Sequence, residues 1–197
     1  MQNKKTISLG LVILFSSFFL SACNIWPKKK DISFPDSSSI TNEPIQTQMI
    51  EEKNPIIGLT TKHGQIVIEL FADKCPQTVK NFLDKAKSGF YDNLSFHRVI
   101  QGFMAQGGDP QGTGMGGGRQ QSELNNIPFV RGSLGLARKA DTKKYSNDSQ
   151  FFICFTTEGC QHLTGEYVNF GQVISGLDVL DQIEQGDLIL KLSSDTK

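Results

Sequence analysis

Residues Phe96 to Asp109 read Phe-His-Arg-Val-Ile-Gln-Gly-Phe-Met-Ala-Gln-Gly-Gly-Asp. This stretch sets one arginine, Arg98, among β-forming residues and eight positions before Gln106, with Phe103 and Met104 just ahead of that glutamine. Arginine stays protonated and presents its donors in a rigid fork. A fixed cation beside an aromatic surface suits a substrate that is half apolar ring and half polar amide. Taken singly, Arg98 would more often be a surface ion-pair partner, and Phe103, Met104 and Phe152 would more often be core. Other chemistries find less support. Gly112-Thr113-Gly114-Met115-Gly116-Gly117 fits G-x-G-x-x-G, but no helix pattern or acidic ribose partner follows, and the Gly-Lys-Ser/Thr of a phosphate loop is missing, so the stretch reads as a flexible loop. His63, His97 and His162 lack metal-ligand spacing, and neither G-x-S-x-G nor H-E-x-x-H occurs.

The elements that must position these residues are mostly strands. Ile56 to Thr61 and Gln65 to Phe71 are β-rich runs joined by Lys62-His63-Gly64, a hairpin turn, and Ile66, Ile68 and Leu70 share one face. Pro76 opens a helix at its natural first-turn position. Val79, Phe82, Leu83 and Ala86 follow as one apolar stripe, and Gly89 can end it. Short strands are expected at Leu94–Ile100, Phe103–Gln106, Gly132–Arg138, Gln150–Phe155 and Tyr167–Val173, with a glycine-rich loop from Gly107 to Gly118. Ser175 can cap a second helix with Leu177, Leu180 and Ile183 facing inward, and Asp187 to Leu192 supplies a last strand. Many short strands with turn signals suggest a closed barrel or a sandwich, and one early and one late helix can plug a barrel's two ends.

The N-terminus reads as an export signal. Lys4 and Lys5 precede the largely apolar run Ile7–Leu20, which is too short to span a bilayer comfortably but fits a signal-peptide core. It ends in Leu20-Ser21-Ala22-Cys23, which resembles a bacterial lipobox; Cys23 would then carry the lipid and become the new N-terminus. An ordinary secretory signal and an uncleaved anchor are the alternatives. Residues 23–54 read as lipidated cysteine plus flexible linker, with Lys28, Lys29 and Lys30 near the headgroups and a Pro/Ser/Thr/Asn-rich stretch behind them. The expected address is the bacterial cell envelope. That means the outer membrane facing the periplasm in a Gram-negative cell, toward which the absence of aspartate after Cys23 leans, and otherwise the outer face of the cell membrane.

Without residues 1–22, which hold two lysines and no acid, 18 basic and 20 acidic side chains remain, a formal charge of −2. No basic stripe argues for nucleic acid. Residues 55–197 suffice for one domain with a real core. Three cysteines follow Cys23, an odd number that argues against a full disulfide framework. Three free thiols are the favoured reading, with a Cys154–Cys160 bridge as the alternative; Cys75 stands at a helix start, where a thiol pKa can fall.

Five blocks recur in order that closely resemble the cyclophilins, the peptidyl-prolyl cis-trans isomerases. They are Gly64–Phe71, Pro76–Tyr91, Phe96–Asp109, Ser149–Ile153 and Phe170–Ile174, within a resemblance running from Pro55 to Leu192. The resemblance implies a mainly β fold, a closed eight-stranded antiparallel β-barrel capped by two α-helices, in an isomerase domain spanning 55–197. It makes Arg98 the catalytic arginine and Phe103, Met104, Phe152 and Leu163 the proline pocket. Gln106, Ala137 and Gln150 would position the substrate backbone, and His97, beside the arginine, and Tyr167 would also bind substrate. Three positions depart from the pattern of many eukaryotic members: His162 replaces a tryptophan, Tyr167 a pocket-rim histidine and Arg138 an asparagine. His162 puts tight cyclosporin binding in doubt.

The implied chemistry makes and breaks no covalent bond, so no metal or cofactor is expected. The partners would be proline-containing polypeptides and, through its lipid, the membrane; the expected state is a monomer. The competing reading is a tethered module that binds proline segments as a chaperone or adhesin, with catalysis incidental. Retention of Arg98, Gln106 and Phe152 favours catalysis, because binding alone does not require the arginine.

Overall fold

The computed structural model describes residues 54–193. The signal segment 1–22, Cys23 and the linker up to Lys53 lie outside the described residues, as does the C-terminus after Ser193.

Strands β1 (Ile56–Thr61) and β2 (Gly64–Leu70) form the expected hairpin, in register from Ile56↔Glu69 to Thr61↔Gly64. Alternation along the two strands buries Ile57, Leu59, Ile66, Ile68 and Leu70 completely. Helix α1 (Pro76–Lys87) begins at the predicted proline and buries Val79, Phe82 and Ala86. Cys75 stands at its N-cap position, but its side chain does not cap the helix. The first-turn amides of Gln77 and Thr78 donate instead to the Glu123 carboxylate, at 3.1 and 2.7 Å. The expectation of an acidified Cys75 thiol is corrected here. Burial, reinforced by the Glu123 charge, pushes that thiol up to about 12, against a weaker lowering by Asn125.

The remaining strands are β3 (Arg98–Ile100), β4 (Met104–Gly107), β5 (Arg119–Gln121), β6 (Ser133–Leu136), β7 (Tyr145–Asn147), β8 (Phe151–Cys154), β9 (Asn169–Ser175) and β10 (Lys191–Ser193). Eight of the ten form one sheet in the order β10-β1-β2-β9-β6-β8-β4-β3, while β5 and β7 pair separately. The main sheet curls, and one isolated bridge, Ser95↔Leu188, joins the segments that precede its edge strands β3 and β10. Beside it Phe96 N–H donates to the Asp187 carbonyl and Ile189 N–H to that of Leu94, both at 2.8 Å. Among the described residues β3 and β10 form no ladder with each other, so the architecture is a curled eight-stranded sheet.

Helical structure departs from the expected pair of caps. Helix α2 (Thr157–Cys160), continued by a 3-10 turn at Gln161–Leu163, carries no long apolar stripe that would announce it. The late helix contracts to α3 (Leu177–Leu180). Ser175 does not cap it. Ser175 ends β9, and Gly176 precedes the helix with φ of 86°, a conformation suited to glycine. The main core lies inside the sheet under α1. There Phe82 meets Phe151 and Phe170 edge-on, with centroids 5.5 and 5.2 Å apart, and packs on Tyr91 at 5.0 Å.

Candidate active site

A second, smaller apolar cluster lies apart from that core: Met104, Phe129, Phe152, Cys154, Cys160 and Leu163, with Phe103 and Tyr167 half-buried at its margin. Strand pairing explains how it assembles. β3 and β4 place Arg98 opposite Gln106, and β4 and β8 place Gln106 opposite Phe152 and Met104 opposite Cys154. Arg98, Met104, Gln106 and Phe152 therefore come from the paired strands β3 and β4 and from β8 beside them. Leu163 arrives from the 3-10 turn after β8, and Tyr167 meets Phe152 edge-on at 5.8 Å.

Arg98 is exposed, and its guanidinium lies at the edge of this cluster. Its Cζ stands 6.0 Å from the centre of the Phe103 ring, and Nη1 lies 3.8 Å from Met104 Sδ. Nη1 also donates to Gln106 Oε1 at 3.4 Å. Gln106 Nε2 in turn donates to Gln150 Oε1 at 2.9 Å, and Gln150 Nε2 donates to the Gly116 carbonyl at 2.8 Å. The chain of bonds thus runs from the exposed cation to a buried glutamine and on to the backbone of the glycine-rich loop. Asn147 closes it: its Nδ2 donates to the same Gly116 carbonyl, while its Oδ1 accepts the amides of Ser149 and Gln150. Asp109 fixes the loop itself by accepting the amides of Gln111, Thr113 and Gly114. Burial opposes its ionisation, but these amides outweigh it and hold the carboxyl below its ordinary pKa.

A groove of about 380 Å³ adjoins the cluster. Its lining includes Gln106, Ala137 and Gln150 together with Met115, Arg119 and Tyr145. Ala137, expected to meet the substrate backbone, is therefore beside the glutamines but outside the apolar cluster. His97 is also outside that cluster. Its ring lies against Gly114, and neither ring nitrogen has a hydrogen-bond partner. Burial lowers its pKa, with the Arg98 charge adding and Asp109 opposing. Arg138 stacks over Tyr167 at 4.5 Å and donates through Nε to the Glu166 carbonyl at 3.0 Å, so it braces the rim. His162, exposed, tilts over Phe103 at 5.7 Å.

The family model described as cyclophilin type peptidyl-prolyl cis-trans isomerase/CLD matches residues 56–196. The chain belongs to the cyclophilins. Cyclophilin relatives include a peptidyl-prolyl cis-trans isomerase of Helicobacter pylori, 45% identical over 157 residues that cover 75% of this chain and 93% of the relative. Another, from Synechococcus elongatus, is 41% identical over 138 residues, covering 68% and 92%. A crystal structure of a Cryptosporidium parvum cyclophilin, obtained in the presence of the dipeptide Ala-Pro, superposes with a TM-score of 0.65 at 33% identity, over 72% of this chain and 99% of that one. This cyclophilin is accordingly a peptidyl-prolyl cis-trans isomerase, and a module with merely incidental catalysis is not favoured.

Several contributors escape a reading of the sequence. Phe129 is buried and stacks on Phe152 at 5.6 Å; its one signal is an apolar Pro128-Phe129-Val130 within a polar stretch. The Gly116 carbonyl is backbone and leaves no side-chain signal. The cysteine expectation is also corrected: Cys154 and Cys160 form a disulfide with Cα atoms 6.2 Å apart, leaving Cys75 as the free thiol among the described residues. The odd count misled because α2 folds back on the end of β8, a local return that cysteine number cannot report.

Proposed function

We propose that this cyclophilin accelerates X-Pro rotation in exported or envelope proteins, with Arg98 stabilising the twisted amide. Rotation must break amide resonance, a barrier of about 18–20 kcal/mol. As the bond twists, the prolyl nitrogen becomes pyramidal and regains a lone pair. A donor aimed at that lone pair binds the transition state better than either planar isomer, which is what catalysis requires. The observation that carries this reading is the exposed Arg98 guanidinium, held by Gln106 at the edge of the apolar cluster. Phe103, Met104, Phe152 and Leu163 would grip the ring and exclude water, Tyr167 would form the rim, and Gln106, Ala137 and Gln150 would align the backbone. His97, whose ring lies against Gly114, would bind substrate from beside the arginine. The Ala-Pro dipeptide used with the Cryptosporidium relative supports a proline-containing ligand here. The Ser95–Leu188 bridge supports reading the curled sheet as a closed barrel with α1 and α3 at its ends.

The same proposal places the catalytic domain, 55–197, on a lipid-bearing Cys23 through the 23–54 linker, in the cell envelope and as a monomer. The lipobox-like Leu20-Ser21-Ala22-Cys23 supports it. A diacylglyceryl anchor adds roughly 0.8 kcal/mol per buried methylene, enough for stable attachment with two chains. Mass spectrometry of the native N-terminus should find acylated Cys23, and Cys23→Ser should release the protein from membranes. An unmodified chain beginning at another residue would contradict the anchor. For the enzyme, the full-length chain should speed cis-trans exchange in a short X-Pro peptide; exchange at the uncatalysed rate would contradict the reaction.

A further inference from the structure

We propose that the Cys154–Cys160 cystine is a positioning element of the proline pocket, holding the wall that carries His162 and Leu163 against Phe103. The proposal rests on the pocket reading given above. Both half-cystines are fully buried, and they lie within the Met104–Phe152–Leu163 cluster rather than in the core beneath α1. Cys154 ends β8 two residues after Phe152, and Cys160 ends α2 three residues before Leu163.

The wall needs such a tie. Helix α2 is a single turn of four residues, far too short to stand alone. It is fastened to the backbone around Phe103 at several points. Phe155 N–H donates to the Phe103 carbonyl at 2.8 Å, Thr156 Oγ1 donates to that of Gly102 at 2.7 Å, and Cys160 Sγ lies 3.4 Å from the Phe103 carbonyl oxygen. Gly159 approaches the Gly102 carbonyl so closely that any Cβ there would collide with it. The cystine is the covalent member of this set. It spans only six positions of sequence, and a short loop restrains the unfolded chain less than a long one. Its effect therefore falls largely on the folded wall.

Reduction by a dithiol transfers two electrons and two protons: the Sγ–Sγ bond breaks, both sulfurs become thiols, and the dithiol closes to its own disulfide. Because both sulfurs are buried, the attacking thiolate reaches them only when the wall opens. A proline peptide seated against the wall should therefore slow reduction, since each occupant of the closed state favours it.

The test compares the full-length chain with its Cys154→Ala/Cys160→Ala variant and with the unaltered chain after dithiothreitol, bridge loss being followed by alkylation and mass. Loss of the bridge should raise KM for an X-Pro peptide about tenfold, the effect of a small misfit in an apolar pocket, with kcat changing far less. Saturating peptide should slow the reduction. If the double variant does not fold, the reduced unaltered chain decides by the same KM comparison. An unchanged KM in an active chain lacking the bridge, or a loss confined to kcat, overturns the positioning role alone. A chain inactive before any treatment overturns the pocket reading and this proposal with it.

Discussion

Arg98 is exposed, yet its position is set by residues that are not. Gln150 is 2% exposed and ties Gln106 to the Gly116 carbonyl, so the cation is aimed from behind by a buried amide. Asn147 holds both ends of that arrangement. Asn147→Ala leaves the amides of Ser149 and Gln150 and one bond to Gly116 without their partner. It should cost about 1–3 kcal/mol of stability by urea unfolding, together with a fall in kcat/KM. Unchanged stability and activity would show that the loop is held by Asp109 alone. Arg98, Phe103, Met104 and Gln106 were legible as neighbours because they occupy one hairpin, where spacing along the chain becomes spacing across strands, whereas Phe129 joins the cluster from a distant loop. Gly116 was not legible, because a carbonyl contributes the same atom whatever residue bears it.

At the scale of elements, α1 is the best-specified part. Pro76 at its start, a stripe of apolar residues and Gly89 after its end all agree, and the helix spans Pro76–Lys87. Phe82 on that stripe touches three aromatic rings of the core and none of the site cluster. Phe82→Ala should therefore destabilise the fold by about 3–5 kcal/mol, read as a lowered thermal midpoint, while KM measured well below that midpoint stays near the unaltered value. A large KM change would mean that the core and the pocket are coupled. By contrast, α2 and the β5–β7 pair could not be foreseen. One turn of Thr-Glu-Gly-Cys and two three-residue strands carry no measurable period, and tertiary contacts decide their form. The same blindness hid the Cys154–Cys160 bridge, which depends on how α2 folds back.

Among the described residues, acid should act most through the two buried carboxylates, Asp109 and Asp187. Asp187 joins the β1–β2 turn to the end of the sheet by accepting Lys62 Nζ at 2.6 Å and His63 Nε2 at 2.8 Å. Burial opposes its charge, but the Lys62 bond, the Glu184 amide and His63 outweigh it, so its folded pKa lies below the ordinary one. Asp109 is lowered likewise by its loop amides. A lowered folded pKa gives stability that is complete above the unfolded value, about 3.9, and is lost as pH falls from there through the folded value. Thermal midpoints should thus be insensitive to these two groups at neutral pH and drop below about pH 4. Asp187→Asn should be less stable at neutral pH and should flatten that acid slope; an unaltered slope would place the acid sensitivity elsewhere. The sheet order and the two separate apolar clusters are also properties of this scale, and the sequence announced neither; the five blocks carried the mainly β, eight-stranded fold through family likeness, since periodicity alone left barrel and sandwich equal.

The proposed stabilisation of the twisted prolyl amide by the Arg98 guanidinium is decided by exchange NMR on Arg98→Ala with an X-Pro peptide. A charge-assisted hydrogen bond contributes roughly 1.5–3 kcal/mol, or about one to two decades of rate. The variant should therefore lose about ten- to a hundredfold in catalysed exchange, while the peptide still shifts the resonances of Phe103, Phe152 and Leu163. Near-normal exchange in the variant would contradict a catalytic role for Arg98.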